Sequence, residues 1–236
     1  MNSERLDKII SNMGFGSRSE IKKAIRGGMV SVNGSITFDP ALRVDPLSDI
    51  IKAGDEPVHY RKFVYLMMNK PQGFVSSTDE PGRRTVIDLI PDTYTPFGLF
   101  PVGRLDVDST GLLLLTNDGD LAHRLLSPKH HIEKEYVVTL DKSPEDTAAD
   151  SFSRGITLDG GYCCKPAILR QSCNPLVFHV TLTEGKFHQI KRMFAALGVR
   201  VLALQRIRMG SLLLDETLDA GDIRELTAAE LESIRS

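Results

Sequence analysis

The chain has 236 residues, 41% hydrophobic and 25% charged with a net charge of −2. This is an ordinary globular balance, with room for one sizeable core and a small extra domain, and it is not that of a uniformly basic binder. No apolar run is long enough to span a bilayer, and Met1-Asn2-Ser3-Glu4-Arg5 lacks the basic-then-apolar layout of a secretory signal. Cys163, Cys164 and Cys173 form neither a CxxC pair nor a zinc-ligand spacing with histidines, so no membrane, disulfide framework or metal is expected and a reducing cytoplasm fits.

Leu6, Ile9, Ile10 and Met13 follow the spacing of an amphipathic helix that Gly14 and Gly16 interrupt. Ser17-Arg18-Ser19-Glu20 is a capping-box pattern opening a second helix through Ile21, Ala24 and Ile25, and Gly27-Gly28 stops it. Val30 and Val32 alternate with Ser31 and lead into Asn33-Gly34, a two-residue hairpin signal. A further short strand is expected over 49–52. The polar sides of the two helices carry Arg5, Lys8, Arg18, Lys22, Lys23 and Arg26 against Glu4, Asp7 and Glu20. Two readings stand here, a solvated helix surface or an RNA contact, and the excess of cations beside glycines favours RNA.

The polar, proline-containing stretch 55–62 reads as a linker, which places one domain at 1–58 and a second at 59–236. The second opens with an apolar strand over 63–68, ending in the turn Asn69-Lys70-Pro71-Gln72-Gly73 with a lysine at its lip. Strands recur over 112–116, 136–140, 177–182 and 201–208, with helices over 120–126 and 187–197. This alternation predicts an α+β fold with a mainly antiparallel sheet. Charge is segregated within it. From Lys186 to Gly210 the ionised residues are all basic, whereas from Ser211 onward acids dominate, so a basic surface coexists with a near-neutral total.

Two segments could carry chemistry. Asp106 lies in a short polar loop directly before the apolar strand Leu112-Leu113-Leu114-Leu115, which could hold one carboxylate still, or make it simply a turn residue. In Glu184 to Gly198, Ile190, Met193, Phe194 and Leu197 form a buried stripe, while His188, Lys191 and Arg192 share another face at i, i+3, i+4. That face could hold a cation against a carboxylate and present donors to phosphate, or be a plain basic surface. Hydrolase elbow, phosphate-loop and HExxH patterns are missing, and His130-His131 reads as a surface loop. Asn117-Asp118-Gly119-Asp120 reads as a strand-to-helix turn capped by Asp118 or Asp120, and Asp108 as a turn residue.

Together these segments resemble the RsuA-type pseudouridine synthases, nearly end to end. Arg5-Leu6-Asp7-Lys8, Gly16-Ser17-Arg18 and Val32-Asn33-Gly34 are similar to an S4-type RNA-binding domain, and Asn69 to Gly73 to the first synthase motif. Gly103-Arg104-Leu105-Asp106 resembles the motif with the catalytic aspartate, and Glu133-Lys134-Glu135-Tyr136 the segment whose tyrosine stacks on the target base. Glu184 to Met193 resembles the last motif, whose basic residue pairs with the aspartate.

The resemblance implies a cofactor-free isomerisation of uridine with Asp106 catalytic, supported by Tyr136, Lys191, Arg104 and Ile190. It also implies RNA contacts from Arg5, Arg18, Lys22, Lys23, Arg26, Lys70, His188 and Arg192, with Arg104 and Lys70 holding the flipped nucleotide's backbone. Lys191 stands where the wider superfamily commonly has arginine, keeping the charge and losing bidentate geometry. The His188-Gln189-Ile190-Lys191 version is similar to the small-subunit branch, implying uridine 516 of 16S ribosomal RNA, met by a monomer on naked RNA or a small-subunit assembly intermediate. The alternatives are a large-subunit synthase and a non-catalytic S4-type assembly factor.

Overall fold

A computed structural model describes residues 3–235, whose contacts separate into two compact units. One runs up to Val64 and takes in Ile90–Leu99; the other is Tyr65–Leu89 with Phe100 onward. Residues 59–64 and the returning Ile90–Leu99, placed with the second domain by the sequence reading, thus pack in the first unit. No helix is long and apolar enough to cross a membrane.

The first unit contains β1 (Glu4–Arg5), α1 (Leu6–Asn12), α2 (Arg18–Arg26), β2 (Val30–Val32), β3 (Ser35–Ile36), β4 (Arg43–Val44), β5 (Ile51–Ala53) and β6 (Glu56–Pro57). Leu6, Ile9 and Ile10 from α1 meet Ile21 and Ile25 from α2 over Val30, Val44 and Ile51, all buried. The capping box forms as expected: the Glu20 amide donates to the Ser17 hydroxyl and the Ser17 amide to the Glu20 carboxylate. Asn33 and Gly34 both adopt positive φ, 53° and 82°, which closes the β2–β3 hairpin.

Asp7 has no exposed side-chain surface, and three of the expected RNA-binding cations gather on it. Arg5 donates at 3.0 and 2.9 Å, Arg18 at 3.4 and 3.5 Å, and the Lys22 ammonium lies 4.0 Å away. The hydrogen bonds from Arg5, against the cost of burial and with help from Arg18, hold the Asp7 carboxyl down at about 2. A carboxyl with a depressed folded value stabilises fully above its unfolded value near 4, and that stability disappears as pH falls through about 2. Asp7→Asn is therefore expected to cost about 2 kcal/mol at neutral pH and to flatten the pH dependence of stability below pH ~4. Urea unfolding followed by circular dichroism checks this.

The second unit contains β7 (Tyr65–Lys70), β8 (Phe100–Pro101), β9 (Thr110–Thr116), α3 (Gly119–Leu126), β10 (Lys134–Leu140), α4 (Ala148–Arg154) and β11 (Ile168–Gln171). It continues with β12 (Val177–Leu182), α5 (Gln189–Ala196), β13 (Val201–Met209), β14 (Leu212–Leu213), β15 (Ile223–Glu225) and α6 (Ala228–Arg235). Its sheet runs β11-β12-β10-β13-β9-β7-β15, with β14 on β13 and β8 on β9. Every pairing is antiparallel except β13 with β9, so the expected α+β, mainly antiparallel architecture is present.

The central position of β9 explains its leucines. Leu112 to Leu115 are all at most 1% exposed, because a strand covered on both faces cannot alternate. At its end Asp118 is the N-cap of α3, accepting from the Leu121 amide at 3.1 Å, which decides between the two acids of that turn. The last basic helix starts at Gln189, not 187, because His188 takes a left-handed φ of 49°.

Candidate active site

The loop before β9 is pinned through its backbone and does not draw on the Asp106 carboxylate for its tethers. The Ser76 hydroxyl donates to the Leu105 carbonyl at 2.9 Å and accepts from the Leu105 amide at 3.1 Å. The Gly73 amide donates to the Val107 carbonyl at 2.8 Å. Below them the Lys70 ammonium donates to the carbonyls of Asp106, Ser109 and Pro71 at 3.1, 3.0 and 3.1 Å.

This corrects the expectation that Lys70 grips RNA. Its side chain has no exposed surface, and its three N–H donors are spent on three carbonyls. It is a buried peg under the loop. Burial pushes its pKa down to about 8, opposed by the charges of Asp108 and Asp106 and reinforced by that of Lys191. A neutral amine keeps only two N–H donors, so the loop loses a tether as pH rises through about 8. The turnover rate is expected to fall through that pH. Lys70→Met is expected to be slow at every pH, by on the order of 10²-fold, and less stable by about 2 kcal/mol. A pH–rate profile of both proteins, paired with thermal melting, checks this.

α5 brings the cations. Lys191 Nζ lies 3.1 Å from Asp106 Oδ2 and 2.5 Å from Asp108 Oδ1, and His188 Nε2 is 3.6 Å from Asp106 Oδ1. Burial opposes the Lys191 charge, but hydrogen bonds to Asp108 and then Asp106 outweigh it and raise the ammonium's pKa. The hydrogen bond from Lys191 lowers the Asp108 carboxyl, against some burial. Asp108, expected to be only a turn residue, is therefore the second acceptor for Lys191. A lysine suits this arrangement, because a compact ammonium can bridge two carboxylates without the planar fork of arginine.

Asp106, His188 and Ile190 line a small pocket of about 80 Å³ together with Tyr136, Arg104, Leu182 and Leu204. Tyr136 is on the buried face of β10 and 8% exposed, while Ile190 is 4% exposed on α5. Arg104 is exposed and lines both this pocket and a larger cavity of about 640 Å³ that also contains Lys134, Lys186 and Arg206. The structure thus brings together Asp106, Tyr136, Lys191, Arg104, Ile190 and His188.

Arg192 is not part of this group. Its Nη2 donates to the Asp159 carbonyl at 2.7 Å, and it lines neither cavity, since i+4 from a left-handed residue is not the helix face that the spacing assumed. In the first unit Lys23 and Arg26 are exposed along α2, whereas Arg5, Arg18 and Lys22 are the set gathered around Asp7. Sequence reasoning missed Phe187, which is 71% exposed and stacked on His188 with ring centroids 3.8 Å apart. An exposed aromatic within a basic motif was the available signal. Among the described residues no three His, Cys, Asp or Glu side chains group to hold a metal ion.

A carboxylate on a loop whose backbone is pinned, faced by an ammonium and a buried tyrosine, suits chemistry on a flat, flipped-out base. Comparison with known proteins supports that reading. Residues 64–196 match the profile of the RNA pseudouridylate synthase family, and residues 4–56 match the S4 domain. The chain is 45% identical to an uncharacterized RNA pseudouridine synthase of Bacillus subtilis (strain 168), over 96% of each chain. It is 41% identical to the ribosomal small subunit pseudouridine synthase A of Escherichia coli (strain K12), over 98% of this chain and 99% of that one. A crystal structure of a pseudouridylate synthase superposes with a TM-score of 0.70 at 40% identity, covering 98% of this chain and 99% of the other. The chain belongs to the RNA pseudouridylate synthase family, as an RsuA-type pseudouridine synthase that carries an S4 domain ahead of its catalytic fold.

Proposed function

We propose that this synthase converts a single uridine of 16S ribosomal RNA, position 516 in standard numbering, to pseudouridine with Asp106 as the reacting carboxylate. The observation that carries this reading is the Asp106 carboxylate at 3.1 Å from Lys191, on the wall of a pocket whose other lining includes Tyr136 and Ile190. The small-subunit assignment is supported by the 41% identity with a small-subunit synthase and by the His188-Gln189-Ile190-Lys191 sequence.

The reaction breaks the bond from ribose C1′ to uracil N1, turns the base and joins C1′ to C5; the proton lost from C5 is balanced by one gained at N1. Asp106 acts on the sugar, as nucleophile or as base, so it must meet the substrate as a carboxylate. Lys191, whose charge its two acid partners sustain, balances that anion before and after the step. Tyr136 offers a face to the uracil that has left its stack, worth on the order of 1–3 kcal/mol. Leu182, Leu204 and Ile190 keep water away from the bond being remade. His188 and the exposed Arg104 hold the nucleotide's sugar-phosphate at the pocket's edge.

A site-resolved pseudouridine map of ribosomal RNA, from cells with and without the protein, tests this. Loss of one 16S site supports the proposal, and loss of a 23S site instead makes the protein a large-subunit synthase. An unchanged map with defective subunit assembly leaves only an assembly factor.

A further inference from the structure

The cavity of about 640 Å³ beside the Asp106 pocket is lined by far more positive than negative charge. Arg104, Lys134, Lys165, Lys186 and Arg206 line it, against the single acid Glu184. The Glu184 carboxylate is already occupied. It accepts from the Tyr162 hydroxyl at 2.8 Å, the Lys165 amide at 2.9 Å and the Gln189 side-chain amide at 2.6 Å.

Two of the five cations are built into the sheet and cannot be passing surface charges. Arg206 on β13 is directly opposite Tyr136 on β10, and Lys134 is two residues before Tyr136, so all three project from one face. Arg206 is 2% exposed; its Nε donates to the Leu112 carbonyl at 2.8 Å, and its buried Nη2 has no acceptor. Lys134 Nζ reaches only the Ile132 carbonyl, at 3.0 Å, and burial followed by the Arg206 charge pushes its pKa down. A buried guanidinium with an idle donor and a half-buried ammonium within its field, both facing one cavity, call for an anion between them.

We propose that Arg206 and Lys134 form a subsite for a backbone phosphate of the RNA strand that delivers the target uridine. Continuity identifies the anion as a phosphodiester: this cavity and the Asp106 pocket share Arg104, Tyr136, Gly185 and Lys186, so a strand whose base enters one runs into the other. The larger volume accommodates a nucleotide-sized group, and phosphate contacts of this kind fix register without reading sequence. The subsite rests on reading the Asp106 pocket as the uridine site and adds the element that sets how far the strand is drawn in.

The test is the salt dependence of KM, measured with protein-free 16S ribosomal RNA and with small-subunit precursor particles between 50 and 200 mM KCl. Each phosphate contact on a single strand contributes about 0.7 to the log–log slope. Lys134→Gln is expected to raise KM about tenfold at the lower salt, to lessen the slope by about 0.7 and to leave kcat within about threefold. Lys134→Arg is expected to restore both. A purely structural lysine would lower kcat or the melting temperature and leave the slope unchanged.

Arg206→Gln repeats the test at the second cation, and Lys134→Gln carries it alone if that variant does not fold. An unchanged slope in folded, active Lys134→Gln overturns the subsite and leaves the synthase reading intact. A slope change seen with particles but not with protein-free RNA overturns it in favour of a protein carboxylate. Absence of pseudouridine formation by the wild type on both substrates sinks both readings.

Discussion

Asp106→Asn is expected to abolish pseudouridine formation, lowering the single-turnover rate by on the order of 10⁴-fold or more, while RNA affinity stays within about threefold. The substitution is nearly isosteric, and the loop does not depend on the side chain. Ser76, Gly73 and Lys70 hold its backbone, and the carboxylate makes no hydrogen bond to that backbone frame. Lys191 keeps Asp108 as a partner at 2.5 Å, so no ammonium is stranded in the pocket. What disappears is the charge and nucleophilicity of one oxygen pair facing the substrate. Asp108→Asn, which weakens the same ammonium's other contact, is expected to retain activity within about tenfold. Its carboxylate is 70% exposed and works through Lys191. Single-turnover assays with filter binding separate the two variants, and full activity in Asp106→Asn would sink the mechanism.

The difference between those two acids illustrates what could be read from the residues alone. Asp106 was legible because a motif and a rigid leucine strand mark it, and Lys191 and His188 because both belong to the last basic motif, although His188 is outside the helix that carries Lys191. Asp108 was not, because its importance comes from where a lysine eighty-three positions away comes to rest. Lys70 was misassigned for a related reason. A lysine in a glycine-proline turn looks exposed from its neighbours, and only the packing of the 103–109 loop over it turns the turn's lip into an interior.

The strands with continuous or alternating apolar residues, such as β9 and β12, were found to within two residues. The short β11 and β15 and the acid-rich α6 were not anticipated. Only Ile234 of α6 is buried, so its helix is maintained by contacts rather than by a stripe. The return of Ile90–Leu99 to the first unit likewise follows from contacts that no local pattern announces.

Gly111→Ala is expected to be the most damaging single methyl in the catalytic unit, costing at least about 4 kcal/mol and most of the soluble yield. Gly111 is the second residue of β9, at a φ of +97°, where an L side chain is strained, and it pairs in parallel with Arg206 of β13. An added Cβ would overlap the Arg206 carbonyl oxygen and lie 2.9 Å from the Arg206 nitrogen. These are backbone atoms of a central strand and cannot swing aside, so β9 and β13 must part. Parting them moves the Asp106 loop, which β9 anchors, away from Tyr136, whose strand β10 pairs with β13. Gly119→Ala provides the contrast. It sits at the start of α3 without positive φ, with nothing within 4 Å of the new methyl, and is expected to leave stability unchanged or raise it by about 0.5 kcal/mol. Urea unfolding of both variants by circular dichroism, needed because the chain has no tryptophan, measures the contrast. Equal stabilities would mean that the close approach of β9 and β13 is not what sets the distance between carboxylate and ring.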